Sequence, residues 1–342
     1  FEDDCRALNI KEPQEKPRAT EYIEQMQDMV VELLDKSFAY QTELAIYFDV
    51  SRAHDYARLS GQILTENKKG AGKASVADPQ KKDPVDFALW FFKKGKHTHA
   101  LQTWQSPWGE GFPGWHLECS AMSKSLLGDT LDIHMGGIEH IPVHHTNEIA
   151  QSEAANGVPL AHYWLHNEHL IVDGRKMAKS EGTGYSLAEI RERGFSPLDL
   201  RYFFLQAHYR SKQNFTWEAL GGAENAFKKL KMIIAGFQKA EGGCIELEKK
   251  FSDAINDDLN IPQALAVVWE TVKSDYPDSA KAATILKFDE VLGLDLCSIL
   301  RDSVNKDIPH GIIDLAEKRG HAKARKDFAQ ADELRSAIQK AG

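Results

Sequence analysis

The sequence has no long hydrophobic run and few cysteines. No apolar stretch approaches the roughly 18 residues that a membrane-spanning helix needs, and no apolar segment of the signal type opens the chain, so we expect no membrane association. The 342 residues include four cysteines, which are far apart in sequence and too few to cross-link a chain of this length: Cys5, Cys119, Cys244 and Cys297. We therefore expect a reduced, cytoplasmic setting, in which a special cysteine serves metal or redox chemistry.

Basic residues are also in deficit, with 42 Lys and Arg against 51 Asp and Glu and a net charge of −9. This balance excludes a globally basic nucleic-acid coat, although it permits a local basic patch. The hydrophobic content of 42% and charged content of 27% are ordinary for globular proteins, which excludes disorder and fibrous repeats. Because the chain opens with Phe1 rather than Met, we expect it to be an internal part of a longer protein.

Hydrophobic periodicity divides the chain into an α/β part and a helical part. Apolar residues recur at helical spacing over 20–36 and alternate as in a strand over 44–50. A strand ending at Gly137, a helix over 144–155 and a strand over 165–172 follow. Beyond residue 218 the pattern is helical throughout.

Cys119, His144 and Glu148 form a candidate metal site. His144 and Glu148 are four residues apart on a predicted helix, so their side chains share one face. Sulfur, imidazole and carboxylate together suit zinc better than calcium or magnesium, and three protein ligands leave one position open for substrate. The alternative is a buried free cysteine next to an unrelated His–Glu helix pair.

Lys176 and Lys179 form a candidate phosphate-binding loop. They follow a predicted strand and a tight turn, from which two lysines can reach a nucleotide and neutralise departing pyrophosphate. A solvated lysine loop is the alternative.

A predicted strand end carries His134, Gly136 and Gly137. Glycines without a β-carbon let a ligand approach the backbone, and α/β sheets bind ligands at the carboxyl ends of their strands. A plain turn explains the glycine pair equally well.

Several long motifs together resemble cysteinyl-tRNA synthetases. The runs are SPWG at 106–109, PGWHLECSAM at 113–122, HHTNEIAQ at 144–151 and KMAKS at 176–180, the last similar to the KMSKS loop of class I synthetases. Shorter matches extend in order from YFDV at 47–50 to the segment 324–335. The likeness covers almost the whole chain.

The resemblance implies a Rossmann-like α/β catalytic domain with an inserted connective segment, followed by an α-helical bundle. It places the remainder of the catalytic domain and the insertion in 1–105, and the second half of that domain in 106–215. The tRNA-contacting bundle falls in 216–342. It also implies a class I ligase that uses ATP, with Mg²⁺, to activate L-cysteine and then charges tRNA(Cys), and we expect a monomer.

Site residues follow from the same resemblance. Cys119, His144 and Glu148 fall on three of the four family ligands of a Zn²⁺ that binds the substrate thiolate. Lys179 falls on the lysine that contacts ATP and Lys176 opens the same loop. Trp115 falls on a tryptophan of the amino-acid pocket, and His134, Gly136 and Gly137 fall in the stretch that lies against the adenosine.

The chain departs from the family pattern at five positions of the matched region: Phe112, Met135, Glu139, Thr146 and Ala178. The family's HIGH-type motif and its fourth zinc ligand would precede Phe1, so we expect the 342 residues to be inactive alone. Two alternatives stay open: the related ligase of mycothiol synthesis, which joins cysteine to a glucosaminyl-inositol, and a synthetase paralogue without catalysis.

Overall fold

A computed structural model describes residues 1–62, 78–178, 182–237, 240–305, 310–325 and 327–341. The chain forms two compact units. The α/β unit comprises 11–184 and 209–215, and the helical unit comprises 1–10, 185–208 and 216–342. The three domains predicted from the sequence remain a prediction.

The α/β unit opens with a helix packed on an antiparallel sheet. Helix α2 (Ile23–Asp35) precedes strands β1 (Ala39–Gln41), β2 (Ala45–Phe48), β3 (Phe87–Phe92) and β4 (Gly111–Pro113), which pair in that order. The predicted helix over 20–36 and strand over 44–50 are therefore confirmed. The buried face of α2 contributes Met26, Val30 and Leu33 to one core with side chains of β2 and β3, which is the burial expected of an amphipathic helix.

A second layer carries the predicted ligands. Helix α3 (Trp115–Leu127) follows β4, and strand β5 (Leu131–Gly137) leads through a π-helical turn (Ile141–His145) into helix α4 (Thr146–Asn156). Strand β6 (Ala161–Asn167) then pairs with β5 in parallel, as a β–α–β crossover requires. Gly157 ends α4 in the left-handed conformation, with φ of 74°.

The predicted strand over 165–172 is wrong as a single element. Strand β6 ends at Asn167, and β7 (Leu170–Val172) belongs to another sheet, between β8 (Arg175–Lys176) and β9 (Gln213–Phe215). At the break, the Glu168 amide donates to the Tyr209 carbonyl (2.8 Å), and the His169 amide donates to the Glu168 carboxylate (3.0 Å). These bonds take the backbone out of the ladder at the polar run HNEH, residues 166–169.

The described residues after 216 confirm the prediction of a helical C-terminal part. Its helices are α7 (Trp217–Ile234), α8 (Ile245–Asn256), α9 (Ile261–Lys273), α10 (Asp278–Leu292), α11 (Leu296–Asn305), α12 (His310–Ala324) and α13 (Phe328–Ala341). The short helices α1 (Glu2–Ala7), α5 (Leu187–Glu192) and α6 (Pro197–Leu205) belong to the same unit. Phe251 stacks on Phe288 at 4.0 Å between ring centroids in its core. None of the helices within the described ranges has the length and apolarity needed to cross a bilayer.

Candidate metal centre

Cys119, His144 and Glu148, predicted from two separate motifs, lie together in the α/β unit. Cys119 projects from α3, His144 from the π-helical turn and Glu148 from the first turn of α4. One ligand atom of each lies within 4.8 Å of the other two. His144 and Glu148 are buried, at 5% and 1% exposure, and Cys119 is half-buried. We call these three residues the first trio.

Among the described residues, neither a lysine nor an arginine forms an ion pair with the Glu148 carboxylate. Its Oε2 atom faces three imidazole nitrogens, the Nε2 atoms of His134 at 2.9 Å, His144 at 3.6 Å and His145 at 3.9 Å. Burial lowers the pKa of both His144 and His145, in the latter to about 3, so these two rings are neutral at neutral pH. A buried carboxylate normally has a cationic partner or binds a metal ion. The site therefore fits a bound cation.

The Cys119 thiol gives the same indication. Burial raises its pKa to about 12, and the negative charges of Glu148 and Glu118 add to the effect. A thiolate at this position therefore needs a positive charge beside it. Since zinc deprotonates the thiols it binds, the donor set fits zinc.

A second trio, which the sequence reasoning missed, shares the same carboxylate. Ligand atoms of His134, His145 and Glu148 also lie within 4.8 Å of one another. The adjacent histidines of the HHTNE run carried a signal for it, because His145 precedes Glu148 by three residues. The sequence analysis assigned His134 to nucleotide binding, whereas its Nε2 atom lies 2.9 Å from Glu148.

Each trio has one histidine whose second ring nitrogen contacts a further histidine. His144 Nδ1 lies 2.8 Å from His116 Nδ1, and His145 Nδ1 lies 2.7 Å from His166 Nε2. Burial, with a smaller contribution from His144, lowers the pKa of His116 to about 4. Neither His116 nor His166 was singled out from the sequence.

Hydrogen bonds join the two helices that carry the ligands. The Gln151 amide of α4 donates to the His116 carbonyl and to Ser120 Oγ of α3, each at 2.6 Å. The Ser152 hydroxyl donates to Ser120 Oγ at 2.8 Å. These buried bonds fix the separation of Cys119 and Glu148.

Trp115 lies at the solvent side of the first trio. It is the first residue of α3 and is 55% exposed. Its indole stacks on the His144 ring, with 4.2 Å between centroids and 21° between planes. The Trp115 ring thus packs beside the predicted metal ligand His144, where the amino-acid pocket is expected.

Gly136 and Gly137 are crowded by neighbouring side chains. A Cβ at Gly136 would collide with the His145 and His140 rings, and one at Gly137 would collide with the Glu139 carboxylate. The glycines thus admit these side chains to the end of β5, and their role toward a nucleotide remains a prediction. Met135, which departs from the family pattern, points to the face of β5 opposite to that of Gly136 and is 59% exposed.

The lysine loop is described in part. Lys176 ends β8 and is exposed, and Lys179 lies outside the described residues. The Thr183 hydroxyl accepts from the Ala178 amide (2.9 Å) and donates to the Lys176 carbonyl (3.0 Å). Thr183, which the sequence reasoning missed, therefore holds the two ends of this loop together.

Comparison with known proteins agrees with the architecture. Residues 1–225 match the family model of the class I (C) tRNA synthetase catalytic domain, and residues 250–274 match that of the DALR domain. Cysteine–tRNA ligase 1 of Burkholderia lata is 44% identical over all of this chain and 72% of its own length. The cysteine–tRNA ligase of Opitutus terrae is 42% identical over all of this chain and 75% of its own length. The one from Caldicellulosiruptor saccharolyticus is 38% identical over 99% of this chain and 76% of its own.

These matches confirm the predicted fold class, an α/β catalytic domain followed by a helical domain. They also confirm the predicted enzyme class, a class I ligase. The chain belongs to the cysteine–tRNA ligase family of class I tRNA synthetases.

Proposed function

We propose that this protein activates L-cysteine with ATP and transfers it to tRNA(Cys), and that the first trio selects the amino acid. The observation that carries the proposal is a buried thiol, imidazole and carboxylate within 4.8 Å of one another, inside the range that matches the catalytic domain. The names of the relatives support the choice of substrate.

Cys119, His144 and Glu148 would hold one Zn²⁺. When bound there, zinc would take the substrate's thiolate as a further ligand, whereas a serine hydroxyl is a weak, poorly ionised ligand. Such selectivity is needed because cysteine and serine differ by one atom, and a pocket that relied on shape would separate them poorly. Trp115, stacked on His144, would cover the bound side chain and exclude water.

The two reaction steps call for phosphate-binding groups rather than acid–base catalysis by the trio. A carboxylate oxygen of cysteine attacks the α-phosphorus of ATP, the bond to the bridging oxygen breaks, and pyrophosphate leaves. A ribose hydroxyl of the tRNA then attacks the acyl carbon, and AMP leaves. We assign Lys176 and Lys179 to the phosphates, where they offset developing negative charge together with Mg²⁺. We assign His134, Gly136 and Gly137 to the adenosine side.

We propose that the helical unit contacts the tRNA and that the enzyme acts as a monomer. Exposed lysines on α7, Lys228 and Lys229, are available for phosphate contacts. Lys228 has an ion pair with Glu224 at 2.6 Å, so Lys229 is the better candidate.

The proposal is tested with the protein as its gene encodes it, by cysteine-dependent ATP–pyrophosphate exchange and by charging of tRNA(Cys). We expect Cys119→Ser to lower exchange at least 100-fold, since removing an interaction worth about 3 kcal/mol has that effect. Lys176→Ala should lower kcat and leave the zinc content unchanged. Cys297→Ser, in α11 of the helical unit, is the matched cysteine control and should keep full activity. Full exchange by Cys119→Ser would contradict the assignment, and transfer to glucosaminyl-inositol with none to tRNA would replace the acceptor.

A further inference from the structure

The contact between His116 and His144 is a hydrogen bond between two imidazole rings. Their Nδ1 atoms are 2.8 Å apart, a hydrogen-bond distance. A neutral imidazole has one N–H and one bare nitrogen, so one of these two atoms donates and the other accepts.

Metal binding by the first trio determines which of the two rings donates the hydrogen bond. His144 Nε2 is the nitrogen on the side of the Glu148 carboxylate, at 3.6 Å, while Nδ1 faces His116. A metal ligand must offer a lone pair, so Nε2 of His144 is bare and its proton is on Nδ1. That N–H then points at His116 Nδ1, which has to accept it.

We propose that His116 is a positioning residue of the metal centre, which accepts the Nδ1–H bond of His144 and so holds Nε2 of His144 free for the metal. The proposal rests on the proposed function, because it takes the first trio as the metal site. It assigns to an imidazole the place that a carboxylate or carbonyl takes behind most metal-bound histidines.

The surroundings of His116 are suited to this role. It lies three residues before Cys119 on α3, so one helical face supplies both a ligand and the group that orients the next ligand. The edge of its ring meets the Phe87 ring at 5.8 Å and 87°, and its carbonyl accepts the Gln151 amide of α4 at 2.6 Å. Phe87 therefore packs against the ring, and Gln151 holds the backbone that carries it.

The His145–His166 pair provides an internal control. It has the same arrangement, with 2.7 Å between ring nitrogens, behind the second trio. Since both trios share Glu148, a metal in the first trio depends on His116, and a metal in the second depends on His166.

The experiment measures zinc affinity by competition with a chromogenic chelator. We expect His116→Leu to weaken zinc binding about 10- to 100-fold, the range found when such supporting partners are lost. His116→Asn keeps an acceptor, Oδ1, at the position of Nδ1, and should bind within about threefold of the parent. His166→Leu should also remain within about threefold. Thermal melts of the zinc-free variants check that each one folds.

Three outcomes would overturn the proposal: parental affinity in His116→Leu, equal losses in His116→Leu and His116→Asn, or a loss in His166→Leu alone. Cys119→Ser, measured in parallel, distinguishes a failure of the proposed function from a failure of the positioning role alone. If it leaves the affinity unchanged, the first trio is not the metal site and the proposed function fails with it. If it weakens binding while His116→Leu does not, only the positioning role fails.

A nitrogen-15 NMR spectrum of the zinc-loaded protein supplies a second readout, the nitrogen that carries the proton in each imidazole. A role of His116 in packing alone would not determine this position. We expect His144 to carry its proton on Nδ1 and His116 on Nε2. A proton on Nδ1 of His116 would overturn the proposal whatever the affinities.

Discussion

Replacing Glu148 with glutamine should change stability in opposite directions with and without zinc. The carboxylate is 1% exposed, and among the described residues its close neighbours are three imidazoles. Without metal it is a buried acid that has no lysine or arginine partner among the described residues, and the neutral amide keeps its shape. We expect Glu148→Gln to stabilise the zinc-free protein by about 1–3 kcal/mol, because burying an acid that has no lysine or arginine partner costs more than burying an amide.

Zinc should reverse the order of the two proteins. A ligand at 1,000 times its Kd stabilises a folded protein by about 4.1 kcal/mol, more than the advantage expected for the variant. The parent should gain this amount, and Glu148→Gln, which has lost a ligand of both trios, should gain none. The free energy of unfolding, from denaturant titrations with chelator or with excess zinc, measures both terms.

The control is Glu153→Gln on the same helix. Glu153 pairs with Arg58 at 2.5 Å, and Arg58 is 49% exposed, so this ion pair is partly solvated. Its loss should cost less than about 1 kcal/mol in both conditions. A Glu148→Gln protein that is less stable than the parent in chelator, yet gains as much from zinc, would refute the reasoning.

Three further predictions test other parts of the account. Gln151→Leu removes two 2.6 Å hydrogen bonds between α3 and α4, so it should cost about 1–3 kcal/mol of unfolding free energy and weaken zinc binding. Its control is Ser123→Ala on α3, which removes a hydrogen bond within that helix, to the Ser120 carbonyl. Unchanged zinc affinity in Gln151→Leu would contradict the prediction. Leu33→Ala removes a fully buried side chain and should cost about 2–5 kcal/mol, against less than about 1 kcal/mol for the exposed Val31→Ala. Asp289 accepts the amides of Leu294 and Leu296 at 2.7 Å each, and burial raises its pKa, so its ionisation costs stability as the pH rises through its folded pKa. The destabilisation caused by Asp289→Asn should therefore be smaller at pH 7 than at pH 3, and a larger loss at pH 7 would be the contrary result.

The parts of the fold that follow from local periodicity were predictable. Helix α2 has its apolar residues at helical spacing and lies within one to three residues of the predicted bounds. The single strand predicted over 165–172 failed because a hydrogen bond from Glu168 to residue 209, distant in sequence, lies between β6 and a strand of another sheet. Apolar alternation carries no information about such a partner.

The first trio was predictable in part from the residues. The spacing of His144 and Glu148 predicted one helical face, and the suitability of sulfur, imidazole and carboxylate for zinc grouped Cys119 with them, although Cys119 lies on another helix. The histidine contacts behind the ligands could not be foreseen. They depend on the π-helical turn that places His144 and His145 just before α4, and apolar periodicity does not predict such a turn.

The measurement that tests the central claim most directly is zinc K-edge X-ray absorption of the zinc-loaded protein with and without L-cysteine. The account predicts one more sulfur at about 2.3 Å from zinc when L-cysteine is added, and no change with L-serine. An unchanged sulfur count with saturating L-cysteine would contradict the claim that the metal held by Cys119, His144 and Glu148 selects the substrate by its thiolate.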